Sequence, residues 1–245
     1  MKNLLPVVFL CCYNFILLQA SNAGAYVSMP ERVQVPEELA DWDKPFPSYF
    51  PQRWTAQCSF EQCDPEMPNS VIAMRFNKKD GAVDRRMVRR MTTQRPKYNV
   101  SQGLPLNPSG RTGLMGRGYL PRFGPSHLVK VILIRKQNKT MAYLKTKNGL
   151  SFRDDAFATF VANLSSSKLS SKVIAAIRKN PRFHRRDKLL ETILHKAEES
   201  ATKVAADTMP SPLDTDNAWI ELTVYIIPCR KRTMNGRWKR MCKAF

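Results

Sequence analysis

Six of the chain's ten glycines fall between Gly103 and Gly124. Glycines this close let a backbone turn sharply and come nearer to a neighbour than a Cβ would allow. The stretch around them is therefore the strongest local constraint on the fold. Its amides can in principle cradle an anion, and Arg111 and Arg117 can add charge-assisted bonds to a phosphate. The alternative is a tight structural turn between two domains. A Gly/Arg loop by itself does not choose between them.

Charge is the second constraint. Forty Lys and Arg oppose twenty Asp and Glu, a net charge of +20 on 245 residues. Such a field attracts nucleotides, nucleic acids, sulfated glycans or acidic membranes without selecting one. An apolar fraction of 43% excludes a wholly disordered chain. The only long apolar run, Leu4–Leu18, is too short for a membrane span, so no transmembrane segment is expected in the mature chain. Two basic stretches are candidates for a polyanion patch. One is Arg85, Arg86, Arg89, Arg90, Arg95 and Lys97; the other is the tail Cys229–Phe245, with seven Lys/Arg, no acid and Trp238. A solvated face is the plainer reading of the first.

Lys2, the apolar run and the small residues of Gln19–Ala23 have the pattern of a secretory signal peptide over 1–23. A secreted or secretory-lumen protein is the expectation. Four cysteines then remain, and an even number in an oxidising compartment favours disulfides; Cys58–Cys63 and Cys229–Cys242 are the simplest pairs. A zinc site lacks the usual ligand spacing. Sequons at Asn99, Asn138 and Asn163 suit the same route and a glycoprotein.

Along the chain, residues 24–70 are rich in proline and aromatics and read as an extended arm. Val71–Phe76 reads as a short strand, followed by a turn at Asn77–Gly81. Val129–Ile134 is a β-branched strand, with Met141–Leu144 as its hairpin partner. Ala156–Leu164, Val173–Ile177 and Leu189–Ala206 carry helical spacing. Ala218–Ile227 is a strand stopped by Pro228.

The string Asn107–His127 closely resembles the NPxGRTGLxGRGxLxxxGPNH signature of the Nudix-family ADP-ribose pyrophosphatases, shared by the ADP-ribose-binding domain of melastatin-type channels. Phe76–Gly81 with Arg85 is similar to the family's FNxxDG…R element, and Asp214–Glu221 to its NTDNAWxE strand. Arg32–Pro36 resembles the arm before them. The resemblance spans roughly 32–227. It implies an α+β chain: a mostly β and irregular N-terminal domain over 24–128, then a Nudix α/β/α sandwich with a mixed sheet over 129–228. That sandwich is shortened before the basic tail 229–245. By resemblance a mitochondrial address is the runner-up.

The implied reaction splits ADP-ribose into AMP and ribose 5-phosphate with Mg²⁺. Mg²⁺ needs carboxylate oxygens to hold it and neutralise phosphate charge. The resemblance places the Nudix box at about Met141–Ser165. Its loop glycines would be Lys145 and Thr146, and its REFGEE-like helix would be Phe160–Ser165, with no Glu. In another frame only the pair Glu198-Glu199 fits. Asp and Arg positions before NTDNAW are Ser211 and Leu213, and the Asn of GPNH is Ser126. Asn107, Arg111, Arg117, His127 and Asn217 match the family and are the expected ligand-binding residues, Asn107 at ribose or adenine. For Arg117 and Asn217 a buried bond holding loop to sheet is the competing role.

No catalytic residue, metal ligand or cofactor is therefore expected. The expectation is a catalytically degenerate homologue that at most binds ADP-ribose or a related nucleotide. One alternative is an active diphosphatase using Asp154, Asp155, Glu198 and Glu199. Another is a secreted polyanion-binding module.

Overall fold

The computed structural model describes residues 29–57, 63–65, 74–88, 95–137, 140–143, 158–162 and 187–228. The chain divides into two compact units. The first comprises Ile16–His127 with Asp207–Glu221, and the second Leu128–Ala206 with Leu222–Phe245 and Met1–Phe15. The segment 207–221 thus belongs with residues that precede it by a hundred positions.

The first unit has little regular structure. Its arm contains a 3₁₀ turn, Glu37–Leu39, and a short strand β1, Arg53–Thr55. Two minimal antiparallel hairpins follow: β2 (Lys79–Asp80) with β3 (Val83–Asp84), and β4 (Val100–Ser101) with β5 (Leu104–Pro105). Strand β6, Met115–Gly118, runs parallel to β1, with Arg53 opposite Met115 and Thr55 opposite Gly118. Prolines and left-handed glycines keep these strands short. Packing relies on aromatics: Tyr98 meets Trp219 edge-on at 4.9 Å, Phe76 leans on Tyr98, and Met87 completes the cluster. Met74–Phe76 form no strand, and 71–73 lie outside the described residues.

The second unit carries a five-stranded mixed sheet in the order β10-β11-β7-β8, with β9 also on β7. Strand β7 is Gly124–Gln137, β8 Thr140–Tyr143, β9 Ala158–Val161, β10 Thr202–Met209 and β11 Ala218–Pro228. The expected hairpin is present: β7 and β8 are antiparallel, with Ile134 opposite Tyr143. Strand β7 starts five residues earlier than its β-branched stretch indicates. Leu128, Val129, Val131 and Ile132 are all buried, as in a central strand covered on both faces. In β11, burial is continuous from Ala218 to Val224.

Two helix expectations are corrected. Part of Ala156–Leu164 is strand β9, paired with β7. Short apolar runs fit either period, and pairing to a central strand decides this one. Leu189–Ala206 is two elements. Helix α1, Asp187–Ser200, ends where Ala201 N–H bonds back to Glu198 O at 3.2 Å. Thr202 then opens β10, which lies against β11. Val173–Ile177, the signal-like segment 1–23 and the tail 229–245 lie outside the described residues. Among the described residues α1 is the only α-helix, so a full sandwich is not seen there.

The expected pairs Cys58–Cys63 and Cys229–Cys242 are corrected to this extent: no cystine has both its halves among the described residues. Cys63 is the only cysteine there and is in the disulfide state, while Cys58, Cys229 and Cys242 lie outside. What visibly fastens this segment is the next residue. Asp64 takes both terminal nitrogens of Arg85, at 2.6 and 2.9 Å, and the Phe123 N–H at 2.8 Å.

Candidate functional site: the Gly/Arg segment

The glycines of the segment serve close backbone approach, as their spacing suggests. The neighbour they admit is the chain's own arm. A Cβ on Gly113 would lie 2.1 Å from Val33 O, one on Gly110 2.4 Å from Ala40 O, and one on Gly116 2.3 Å from Trp54 O. All three have positive φ, so only glycine meets both demands.

The amides follow the same rule. Arg111 N–H donates to Ala40 O at 2.7 Å, Met115 N–H to Gln52 O at 2.9 Å, and Gly113 N–H to the Tyr49 hydroxyl at 2.9 Å. Thr112 N–H donates to Asp216 Oδ1 at 2.7 Å, and Gly116 N–H to Asn217 Oδ1 at 3.0 Å. Ser109, Gly110 and Arg117 also spend their amides inside the protein. Donors that could have faced an anion thus clasp the arm and the Asp214–Asn217 turn.

Four of the five expected ligand residues lie in this clasp. Asn107 is buried; its Nδ2 donates to Thr215 O and its Oδ1 accepts from Ser109 N–H. Arg111 donates to the carbonyls of Leu39, Asp41 and Lys44, and its guanidinium faces the rings of Trp42, Tyr49 and Phe46 at 5.0, 5.5 and 5.9 Å. Arg117 is buried and donates to Leu120 O and Ala56 O. Asn217 Nδ2 donates to Pro105 O at 3.0 Å. His127 stands apart from the clasp. It is buried, and its Nε2–H donates to Asp84 O at 2.8 Å. Because a carbonyl only accepts, the proton sits on Nε2, and Nδ1 is buried with no hydrogen-bond partner. Burial pushes the imidazole pKa down to about 4.

Several residues outside that set carry more of the electrostatics. Asp214 is buried and accepts N–H bonds from Ser211 and Ile220 at 2.9 and 3.1 Å. Burial outweighs those bonds and lifts its carboxyl to about 8. Asp216 and Glu221 are also raised, first by burial. Glu221 accepts from Val88 N–H, Trp219 Nε1–H and the Thr208 hydroxyl. Arg32 donates to Thr112 O and Pro212 O. All four lie in the family-like strings; nothing in those strings says which distant groups they meet.

Three members of the basic run, Arg85, Arg86 and Arg95, are engaged by acids, Lys97 is exposed, and Arg89 and Arg90 lie outside the described residues. Arg85 is buried between Asp64 and Asp80. Arg86 and Arg95 both grip Asp84, at 2.7 and 3.4 Å. Those bonds hold the Asp84 carboxyl down to about 2, against the opposing effect of its burial.

The expected box helix, Phe160–Ser165, contributes no carboxylate for Mg²⁺. No Asp or Glu lies between Asp155 and Asp187. Strand β9 occupies the start of the expected box helix, at Phe160 and Val161. Glu199 pairs instead with His195 on α1 at 3.4 Å. Among the described residues no group of three His, Cys, Asp or Glu is placed to hold a metal. Also among them, no helix is long and apolar enough to cross a membrane.

Residues 35–124 match the family model described as "NUDT9-like, N-terminal domain". The chain is 39% identical over 111 residues to the mitochondrial ADP-ribose pyrophosphatase of Rattus norvegicus, covering 44% of this chain and 30% of that protein. It is 28% identical over 198 residues to transient receptor potential cation channel subfamily M member 2 of Rattus norvegicus, covering 78% of this chain and 12% of the channel. Against putative nudix hydrolase 6 of Caenorhabditis elegans it is 32% identical over 108 residues, 42% of this chain and 39% of that protein. The chain thus spans less than half the length of each of these curated relatives. The shared N-terminal module makes it a homologue of the Nudix-family ADP-ribose pyrophosphatases and of the NUDT9-like domain of the subfamily M channels.

Proposed function

We propose that this protein is a non-hydrolytic homologue of the ADP-ribose pyrophosphatases that binds ADP-ribose or a related nucleotide without Mg²⁺. One contrast carries the reading. The homologous N-terminal module keeps its Gly/Arg segment bonded to the arm and to the Asp214–Asn217 turn, while residues 156–186 contain no carboxylate. Without those oxygens nothing neutralises the pyrophosphate through a metal or activates water beside it. The same stretch carries Lys168, Lys172, Arg178, Lys179, Arg182, Arg185 and Arg186. Cations can meet phosphate oxygens directly.

In this reading the sheet and α1 are the remnant of a shortened α/β/α Nudix sandwich. Asn107, Arg111, Arg117 and Asn217 serve the ligand by holding the Gly/Arg segment in shape, and His127 by its bond to Asp84 O. Entry into the secretory route belongs to the same proposal, on the strength of Leu4–Leu18. Fusion of residues 1–28 to a reporter tests that part, and a reporter kept inside the cell rejects it.

Calorimetry of the full chain with ADP-ribose, in Mg²⁺ and in EDTA, tests the main claim when followed by assay for AMP. Equal affinity in both conditions and no AMP are expected. AMP released at an ordinary enzyme rate overturns the non-hydrolytic part. Absence of any binding heat overturns the nucleotide part.

A further inference from the structure

Among the described residues, exposed cations from two separate segments gather around the β2–β3 hairpin; one of them, Lys97, closes the basic run. Asn77 and Tyr98 are bonded reciprocally: Asn77 Nδ2–H donates to Tyr98 O at 2.9 Å, and Tyr98 N–H donates to Asn77 Oδ1 at 3.1 Å. Asn77 N–H also donates to the Tyr98 hydroxyl at 2.9 Å. Their chain neighbours, Lys78 and Lys97, are therefore brought into the same neighbourhood, and both are exposed. Lys79, also exposed, follows in β2, and Arg75 lies beside it through its 3.3 Å contact with Asp80.

The acids of this face are already engaged. Asp80 is shared by Arg75 and Arg85, and Asp84 by Arg86 and Arg95. Asp84 is fully buried, so it offers little screening to an approaching ligand. What remains is a group of exposed lysines at a hairpin whose backbone is pinned by Arg85 N–H to Lys78 O at 3.0 Å.

We propose that Lys78, Lys79 and Lys97 form a docking surface for a linear sulfated polysaccharide. The chemistry of the face selects this partner among polyanions. Single-stranded nucleic acid is normally gripped by exposed aromatics on which bases stack. Here Phe76 and Tyr98 are turned inward against Trp219 and Arg85. Membrane surfaces are held by an apolar face set beside the cations. No large exposed apolar side chain stands in the 74–88 or 95–98 segments. Compact, hydrated ammonium groups suit a repeating array of sulfates, which asks for charge without bidentate geometry. The surface is distinct from the nucleotide reading and does not depend on it.

Chromatography of the full chain on immobilised heparin, with a titration of soluble heparin, provides the test. The triple variant Lys78→Gln, Lys79→Gln, Lys97→Gln should elute at lower salt and bind on the order of tenfold more weakly, with a shallower salt dependence. A charge-matched control, Lys44→Gln, Lys188→Gln, Lys196→Gln, removes three exposed cations elsewhere and should bind nearly as the parent does. Arginine at positions 78, 79 and 97 should keep binding, which separates lost charge from damaged folding. Equal losses in the two glutamine triples would mean diffuse attraction by net charge and would overturn the proposal. So would loss of binding on deleting residues 229–245 while the Lys78 triple is unaffected. Stronger retention by single-stranded RNA or by phosphatidylserine vesicles than by heparin would overturn the choice of partner.

Discussion

Tyr49 donates its hydroxyl to Asp216 Oδ2 at 2.6 Å and accepts the Gly113 N–H at 2.9 Å, so one side chain of the arm ties two segments that are far apart in sequence. Tyr49→Phe keeps the ring but leaves a raised carboxylate and an amide without their partner. A loss of about 1–3 kcal/mol is expected. Urea unfolding of the variant beside the parent measures it; an unchanged midpoint would show that water replaces the hydroxyl.

Gly113→Ala and Gly103→Ala should differ sharply, although both sites have positive φ. At Gly103 nothing lies within 4 Å of a new Cβ, and the cost is the left-handed backbone alone, about 1–2 kcal/mol. At Gly113 the Cβ also meets the Val33 carbonyl, so the arm must shift and the loss is expected to exceed about 3 kcal/mol. Faster proteolysis between residues 29 and 57 in the Gly113 variant alone would locate the damage in the arm.

Asp64→Ala strips the buried Arg85 of its bidentate partner and Arg122 of its ion pair. Breaking a buried pair on one side typically costs about 3–5 kcal/mol. Thermal melting reads the effect. Arg75→Ala, on a pair whose arginine is largely exposed, should shift the melt little.

Stability should fall as pH rises from about 6.5 to 8, while between about 4 and 6.5 two buried groups oppose each other. Asp214 holds its proton up to about pH 8 when folded, whereas the unfolded chain releases it near 3.8. Its contribution is therefore lost as pH rises through that window, and the raised carboxyls of Asp216 and Glu221 act in the same direction. His127 works oppositely. Its folded pKa of about 4 lies below the unfolded 6.5, so stability is lost as pH falls from 6.5 towards 4. Asp214→Asn should flatten the alkaline limb between pH 6.5 and 8 and unmask the loss through His127 as pH falls from 6.5 towards 4. Melting curves across pH 4–9 decide; an alkaline limb that persists in the variant would assign it elsewhere.

Much of the second unit's sheet is legible in the residues themselves. Val129–Ile134 and Ala218–Ile227 carry enough β-branched and apolar character to be strands in any setting, and both are. Ala156–Leu164 misleads because a short apolar run suits a helix face as well as a strand beside β7. Leu189–Ala206 misleads at its end, where alanines permit a helix but pairing with β11 makes a strand.

By itself, the sequence determined the glycine-dense segment, the family likeness and the absence of carboxylates between Asp155 and Asp187, because these are properties of residue type and order. Only the tertiary structure decided what the glycines and arginines are for. Whether an amide faces a ligand or the Tyr49 hydroxyl, and whether an arginine is exposed or buried between Asp64 and Asp80, depends on which distant segments meet. Hydrogen bonds and ion pairs act over a few ångströms of space, so linear spacing along the chain does not specify the partner.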